Sequence, residues 1–247
     1  MSTLLTNLLS YHKIDEGSGT TSTDSANSYN MTFNGSPSWN SSGIHGKCLD
    51  FSSSTSNALY TTNTYLEARQ NFSFSLWLKR KSYINHRIAY CLAVNFNLYI
   101  FLLERDDKNS SLTIQVDYGF TGAQYPTAHQ LLTNNEWYHV VFRYNHSSSL
   151  TQFYVNGTYV GQITGRQFRT YSSTVPNTLC APCIGNRRHP TSTAFDLAWN
   201  GYVDEVGLWT KYLSDSEIAE LYNNGNGLPY PFDPISKANG IFFTGGY

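Results

Sequence analysis

Phe72-Ser73-Phe74-Ser75-Leu76-Trp77-Leu78-Lys79 is the stretch that decides the fold class. Its period is two: Phe72, Phe74, Leu76 and Leu78 fall on one face of an extended chain, and Ser73, Ser75, Trp77 and Lys79 on the other. That is the pattern of a strand laid over a core, and the aromatic and branched residues favour it further.

The same reading extends in both directions. Toward the N-terminus, Leu8 to Ile14 reads as a first strand and Asp15 to Tyr29 as a loop. Lys47 to Phe51 and Ala58 to Thr61 alternate again. Toward the C-terminus, Ala89 to Leu103 is one long strand or a hairpin bent near Asn95-Phe96-Asn97. Leu112 to Tyr118 and Trp137 to Tyr144 follow. Thr151 to Val155 and Thr158 to Val160 flank Asn156-Gly157, a pair suited to the two positive φ angles of a tight hairpin turn. Tyr202 to Trp209 is the last strand. One helix is expected after it. Ser214 and Glu217 have capping-box spacing, and Ile218, Leu221 and Tyr222 supply an apolar face. Asn224-Gly225 or Asn226-Gly227 ends it, before Pro229 and Pro231. Many short strands and one late helix make an all-β chain: a two-sheet antiparallel β-sandwich with one short C-terminal helix. Residues 1–232 form that domain and 233–247 a C-terminal tail.

Composition narrows the partners. Only 13% of the 247 residues are charged, about half the usual share, and the net charge is −1. Nothing clusters Lys and Arg as a phosphate backbone requires, so nucleic acid is excluded. No segment approaches the roughly 20 apolar residues of a membrane helix, so no membrane insertion is expected. Met1 to Ser10 lacks the basic region of a secretion leader. The surface must be built from hydroxyls, amides and Tyr, which suits neutral hydrogen-bonding ligands such as sugars. Of the four cysteines (Cys48, Cys91, Cys180 and Cys183), the last two form a CxxC read here as a loop, with His189 nearby. A second CxxC at zinc spacing is missing.

The ordered set of short stretches resembles the laminin-G-like, concanavalin-A-like jelly-roll family of bacterial and phage surface proteins. The matching stretches are Leu9 to Thr21, Asp24 to Asn27, Gly43 to Phe51, Phe72 to Trp77, Glu136 to Val140, Tyr154 to Gly157, Gly201 to Val206 and Leu213 to Ile218. The resemblance implies a jelly roll that binds carbohydrate or protein ligands, with one structural calcium ion in many members. The family pattern pairs a loop Asp, here Asp24, with the Asp of the last strand, here Asp204; Asn27 adds an amide from the same loop, and Glu205 is the alternate ligand. A carboxylate, an amide and free carbonyls are suitable hard ligands. The other reading of the same residues is that Asp24 caps a turn and Asp204 accepts a loop hydrogen bond.

Ligand contacts are expected from polar and aromatic residues in variable loops: Tyr83, Tyr118 and Tyr125, then Asn186, Arg187 and His189 with Trp199 just beyond. His86 and Phe120 belong to the same loops. Related glucanases use carboxylates at alternate strand positions. Asp204-Glu205 and Asp106-Asp107 are adjacent instead, which on a regular strand sends them to opposite faces. The expected function is a non-catalytic recognition module, on a virion or an extracellular cell surface, binding glycan or a surface protein. A structural decoration protein of a phage particle, acting as a homo-oligomer, is the alternative, and a glycan-cleaving enzyme is the third reading.

Overall fold

The structure, a computed structural model, describes residues 2–232 other than 53, 64–65, 68–69, 96–97, 119–121, 169–178 and 188–194. The tail 233–247, His189 and Phe120 therefore lie outside the described residues, and nothing is described of the Cys180 side chain.

In chain order the strands are β1 (Leu8–His12), β2 (Thr21–Ser22), β3 (Met31–Asn34), β4 (Ser38–Asn40), β5 (Cys48–Asp50), β6 (Ala58–Tyr60), β7 (Leu66–Glu67) and β8 (Phe72–Arg80). Then come β9 (Ile88–Asn95), β10 (Leu98–Arg105), β11 (Ser111–Tyr118), β12 (Trp137–Asn145), β13 (Leu150–Val155), β14 (Thr158–Thr164), β15 (Leu179–Ile184) and β16 (Gly201–Trp209), followed by helix α1 (Asp215–Tyr222). They form two antiparallel sheets. The first has the order β14-β13-β12-β8-β16-β5-β4, with β1 also on β16, and the second β11-β10-β9-β15-β6-β3-β2, with β7 on β15. This is the sandwich with one short helix that the strand pattern implies, in the two-sheet jelly-roll form that the resemblance implies.

β8 lies at the centre of the first sheet, between β12 and β16. Its Phe72, Phe74, Leu76 and Leu78 are fully buried. Phe74 stacks on Phe142 of β12 at 5.0 Å and, across the gap between the sheets, on Tyr90 of β9 at 4.2 Å. Offset stacking at such separations adds about 0.5–1.5 kcal/mol to the burial of the rings. The other face of β8 is buried as well: Ser73, Ser75 and Trp77 are at most 4% exposed. Helix α1, the short turn Thr3–Leu5 and residues 228–232 cover it, sharing one apolar cluster with Tyr11, Val141 and Trp209. Ser214 and Glu217 cap α1 reciprocally, as their spacing predicts. The helix ends at Asn223, a few residues earlier than expected, because Asn223 itself takes the left-handed conformation. Asn156 and Gly157 both have positive φ in the β13–β14 turn, as that pair predicts.

Two local readings change. The CxxC stretch is part of β15 and not a loop. Pro182 has no N–H to donate, and it falls where none is required on the outer edge of β15. That edge pairs with β6 through Cys183 and Ile184 and with β7 through Leu179 and Cys180, leaving Pro182 in the gap between them. Within β15, Cys183 lies opposite Cys91 of β9. Asp204-Glu205 does not follow regular strand alternation either. A bulge interrupts the β8–β16 register between Asp204 and Gly207, and Glu205 takes φ +48°.

At one end of the sandwich Arg80 of β8 and Glu104 of β10 reach into the interior and pair at 2.6 Å, joining the two sheets. Arg80 also donates to Asn134 and to the Leu132 carbonyl. Burial pushes the Glu104 carboxyl up to about 7, against the pull of Arg80. Breaking a buried pair strands the remaining charge, which typically costs about 3–5 kcal/mol. Arg80→Met should therefore lower unfolding stability in urea by about that amount, and Arg80→Met/Glu104→Met should recover most of it. Equal losses in the single and double variants would show that the pair does not couple the sheets.

Candidate functional site

The outer face of the second sheet carries the strongest convergence of ligand-type side chains. Alternation in β10 turns Ile100 and Leu102 to the core, which sends Tyr99, Phe101, Leu103 and Arg105 outward. β11 does the same with Leu112, Ile114, Val116 and Tyr118 inward, and Thr113, Gln115 and Asp117 outward. Register then sets Tyr99 beside Asp117, Phe101 beside Gln115 and Leu103 beside Thr113. An apolar row thus runs next to a hydrogen-bonding row.

The Tyr99 and Phe101 rings stack 4.2 Å apart, 13° from parallel, and both are half-buried. The Gln115 amide donates to the Tyr99 hydroxyl at 2.7 Å, and Arg105 donates to the Gln115 oxygen at 3.2 Å. Arg105 is the hub. It makes a bidentate pair with Asp107 at 2.5 and 3.0 Å, donates to His86 at 3.2 Å, and lies over the Tyr125 ring at 5.2 Å. Lys108 approaches the same ring at 4.4 Å. Partial burial, with Arg105 and Arg187 nearby, lowers the His86 pKa, keeping the imidazole neutral and able to accept from Arg105. The Arg105 guanidinium in turn lowers the Asp107 carboxyl. Arg187 pairs with Asp196 at 2.9 Å. The face offers the Tyr99 and Phe101 ring surface, the Arg105 guanidinium and the exposed Asp107 carboxylate paired with it, whereas Gln115 and Asp117 beside the rings are buried, 8% and 7% exposed.

The sequence-predicted residues divide. Tyr125, Arg187 and His86 join this face. Tyr83 sits at its rim, where its hydroxyl donates to Asp106 beside the turn that carries Asp107. Three expectations are corrected. Tyr118 points inward, 2% exposed, and bonds Thr151 at 2.6 Å. Trp199 is fully buried in the main core. Asn186 is also fully buried, and its amide clips the two ends of a loop. It donates to the Thr55 and Asn57 carbonyls, both at 2.9 Å, and accepts from Arg187 and Leu197 N–H. None of the three can reach an external ligand.

Sequence reading passed over Tyr99, Phe101, Arg105 and Gln115. Their alternation was visible, but Tyr99-Ile100-Phe101-Leu102-Leu103 is apolar on both faces, so periodicity could not say which face met the core.

The carboxylates implied for calcium hold loops instead. Asp24 accepts from the backbone N–H of Tyr11 (2.8 Å), Ala26 (3.0 Å) and Tyr29 (3.1 Å). Asn27 donates to the Leu9 carbonyl at 2.9 Å. Asp204 accepts from Ile44 N–H at 2.7 Å, His45 N–H at 3.4 Å and its neighbour Glu205 N–H at 3.0 Å. Among the described residues no three His, Cys, Asp or Glu side chains converge as a metal site.

Glu205 is not the surface charge that regular alternation implies. It is 3% exposed, and Tyr11 donates to it at 2.5 Å. Burial pushes its carboxyl up to about 8, while burial and repulsion from Glu205 raise Asp204. Both are closed to any substrate. Two clefts elsewhere, about 240 and 220 Å³, are smaller than usual ligand pockets. One is lined by Thr21, Met31 and Tyr60, the other by Ser52, Ile84 and Arg87.

A raised carboxyl carries a definite sign. Below about pH 4.5 Glu205 is protonated both folded and unfolded, and its contribution is fully present. It is lost as pH rises toward 8, because only the unfolded chain ionises freely. Glu205→Gln should therefore flatten the fall in Tm between pH 5 and pH 9 measured by calorimetry. Parallel Tm profiles for the two proteins would show that Glu205 is not the group responsible.

A family model described as the concanavalin A-like lectin/glucanases superfamily matches residues 51–219, and the chain belongs to this superfamily. No curated protein matches the sequence closely enough to count as a relative. Among solved structures the chain is similar to domain 4 of AbnA, a GH43 extracellular arabinanase from Geobacillus stearothermophilus, in complex with arabinotriose. Identity there is 18%, coverage 87% of this chain and 97% of that one, and the TM-score 0.66. It is also similar to the Trypanosoma rangeli sialidase, at 14% identity and TM-score 0.63 over 90% of this chain and 34% of that one. A third is the binding domain of botulinum neurotoxin DC in complex with rat synaptotagmin II, at 14% identity and TM-score 0.57 over 89% and 52%. At these identities the likeness is one of fold. The chain spans about half of the toxin binding domain and a third of the sialidase.

Proposed function

We propose that this chain is a non-catalytic glycan-recognition module that binds on the outer face of β10 and β11. The observation that carries the reading is the half-exposed Tyr99–Phe101 ring stack beside the Arg105–Asp107 pair, with the buried Gln115 holding the Tyr99 hydroxyl. A sugar ring has C–H faces that pack on aromatic surface and hydroxyls that exchange hydrogen bonds with amide, carboxylate and guanidinium groups. The face has both kinds of group, the half-exposed rings and the Arg105–Asp107 pair beside them. Its near balance of charge suits a neutral glycan: Arg105 and Arg187 are each paired with an aspartate.

The same geometry supports non-catalytic action. The adjacent acidic pair Asp204-Glu205 is closed in, and Asp107 is tied to Arg105 and Lys108. Similar folds support the reading by analogy, since one was solved with arabinotriose and another with rat synaptotagmin II. A sugar-binding module of this kind belongs outside the cell, on a cell surface or a virion.

A glycan array probed in calcium and again in EDTA tests this. The expected result is binding in both buffers, because among the described residues no cluster of metal-ligand side chains adjoins the face. Tyr99→Ala or Phe101→Ala should weaken it roughly 3- to 10-fold, the scale of one stacking contact. Retained binding in both variants would remove the site from this face. Loss in EDTA would instead give the ion a part in binding and direct mutagenesis to Asp24 and Asp204.

A further inference from the structure

We infer that the opposite side of the sandwich carries a second, separate binding surface, suited to glycans that bear a carboxylate. Register across the first sheet sets Trp137 of β12, Lys79 of β8, Tyr202 of β16 and Asp50 of β5 in one continuous row. Lys79 points outward, because its neighbour Leu78 faces the core. Its ammonium lies between two rings, 4.8 Å from the centre of Trp137 and 4.7 Å from that of Tyr202. Lys81 approaches the Tyr202 ring at 5.0 Å.

The two lysines differ in one respect. Lys81 is committed: it pairs with Asp50 at 2.6 Å and donates to Ser52 at 2.8 Å. Lys79 has no carboxylate within ion-pair distance among the described residues. Its side chain is held in place by aromatic surface, yet its charge is uncompensated. Trp137, Lys79 and Tyr202 are all half-buried, each with part of its surface open to solvent. Most of this sheet's outer face is sealed by α1 and residues 228–232, whose apolar cluster contains Tyr11, Val141 and Trp209 but neither Trp137 nor Tyr202.

A fixed cation flanked by two partly open rings matches an acidic sugar. The ring C–H groups can pack on Trp137 or Tyr202 while the carboxylate meets the Lys79 ammonium, a charge-assisted contact stronger than a neutral one. The surface is on the other sheet from Tyr99 and Phe101 and does not depend on that site. Two sites on opposite faces of one rigid domain would let a single chain bridge two glycans.

The test is an array carrying sialylated, uronic-acid-bearing and neutral glycans, followed by titration calorimetry of the strongest acidic glycan at two salt concentrations. Acidic glycans should bind, more weakly at high salt. Lys79→Met, which keeps the aliphatic stem, and Trp137→Ala should each weaken them about tenfold, the scale of one charge-assisted or stacking contact. Lys79→Arg should retain binding, and Tyr99→Ala should leave it unchanged. Unfolding curves verify that each variant is folded. Failure of the wild-type chain to bind any acidic glycan, or undiminished binding by Lys79→Met, would overturn the inference. Loss of acidic-glycan binding in Tyr99→Ala, with none in Trp137→Ala, would also overturn it by assigning all binding to the first face.

Discussion

Phe74 stacked on Tyr90 across the gap between the sheets, with Phe142 alongside, is the contact from which the rest of the molecule is organised. It commits one face of β8 to the interior. Because β8 is hydrogen-bonded on both edges, to β12 and β16, that commitment passes through register to its neighbours. Slipping any of these strands by one residue would turn its apolar set outward. The position of every outward side chain on the first sheet, Trp137, Lys79 and Tyr202 included, follows from this phase.

The two sheets then diverge in how their outer faces are finished. The first is partly roofed. Tyr222 of α1 stacks over Trp77 at 6.0 Å, Trp209 donates to the Leu4 carbonyl at 2.7 Å, and Tyr230 and Phe232 pack on Tyr11. The buried guanidinium of Arg143 helps fix the roof by donating to the Leu213 carbonyl at 2.7 Å and lying between the Tyr154 and Tyr212 rings. On the second sheet, the row from Tyr99 to Arg105 stays half-exposed at Tyr99, Phe101 and Arg105. This asymmetry is why the outward aromatics of the first sheet are mostly core, while Tyr99 and Phe101 of β10 stay half-exposed.

Much of the fold was legible in the chain. The alternation from Phe72 to Lys79, the Asn156-Gly157 turn and the Ser214/Glu217 cap are local signals, and each reports conformations set within a few residues. The candidate site was legible only in fragments. Tyr125 and Arg187 were found because they stand in polar loops, whereas Tyr118 and Trp199 have the same chemistry and are buried. An aromatic residue looks alike in sequence whether it fills a core or faces a sugar. Asn186 shows the same ambiguity for a polar residue, since its four hydrogen bonds are all spent on closing a loop.

The sequence by itself determined the strand periods, the turns, the helix cap and hence the sandwich class, because these depend on side-chain spacing and on the φ preferences of a few residues. Tertiary structure alone decided which face of β10 is open, how Pro182 is accommodated in β15, and that Asp204 and Glu205 are buried at a bulge. Those outcomes depend on strand order and on what covers each face. Contacts between residues far apart in the chain, such as Tyr11 with Glu205 or Asn186 with Thr55, create them, and no local pattern records such contacts.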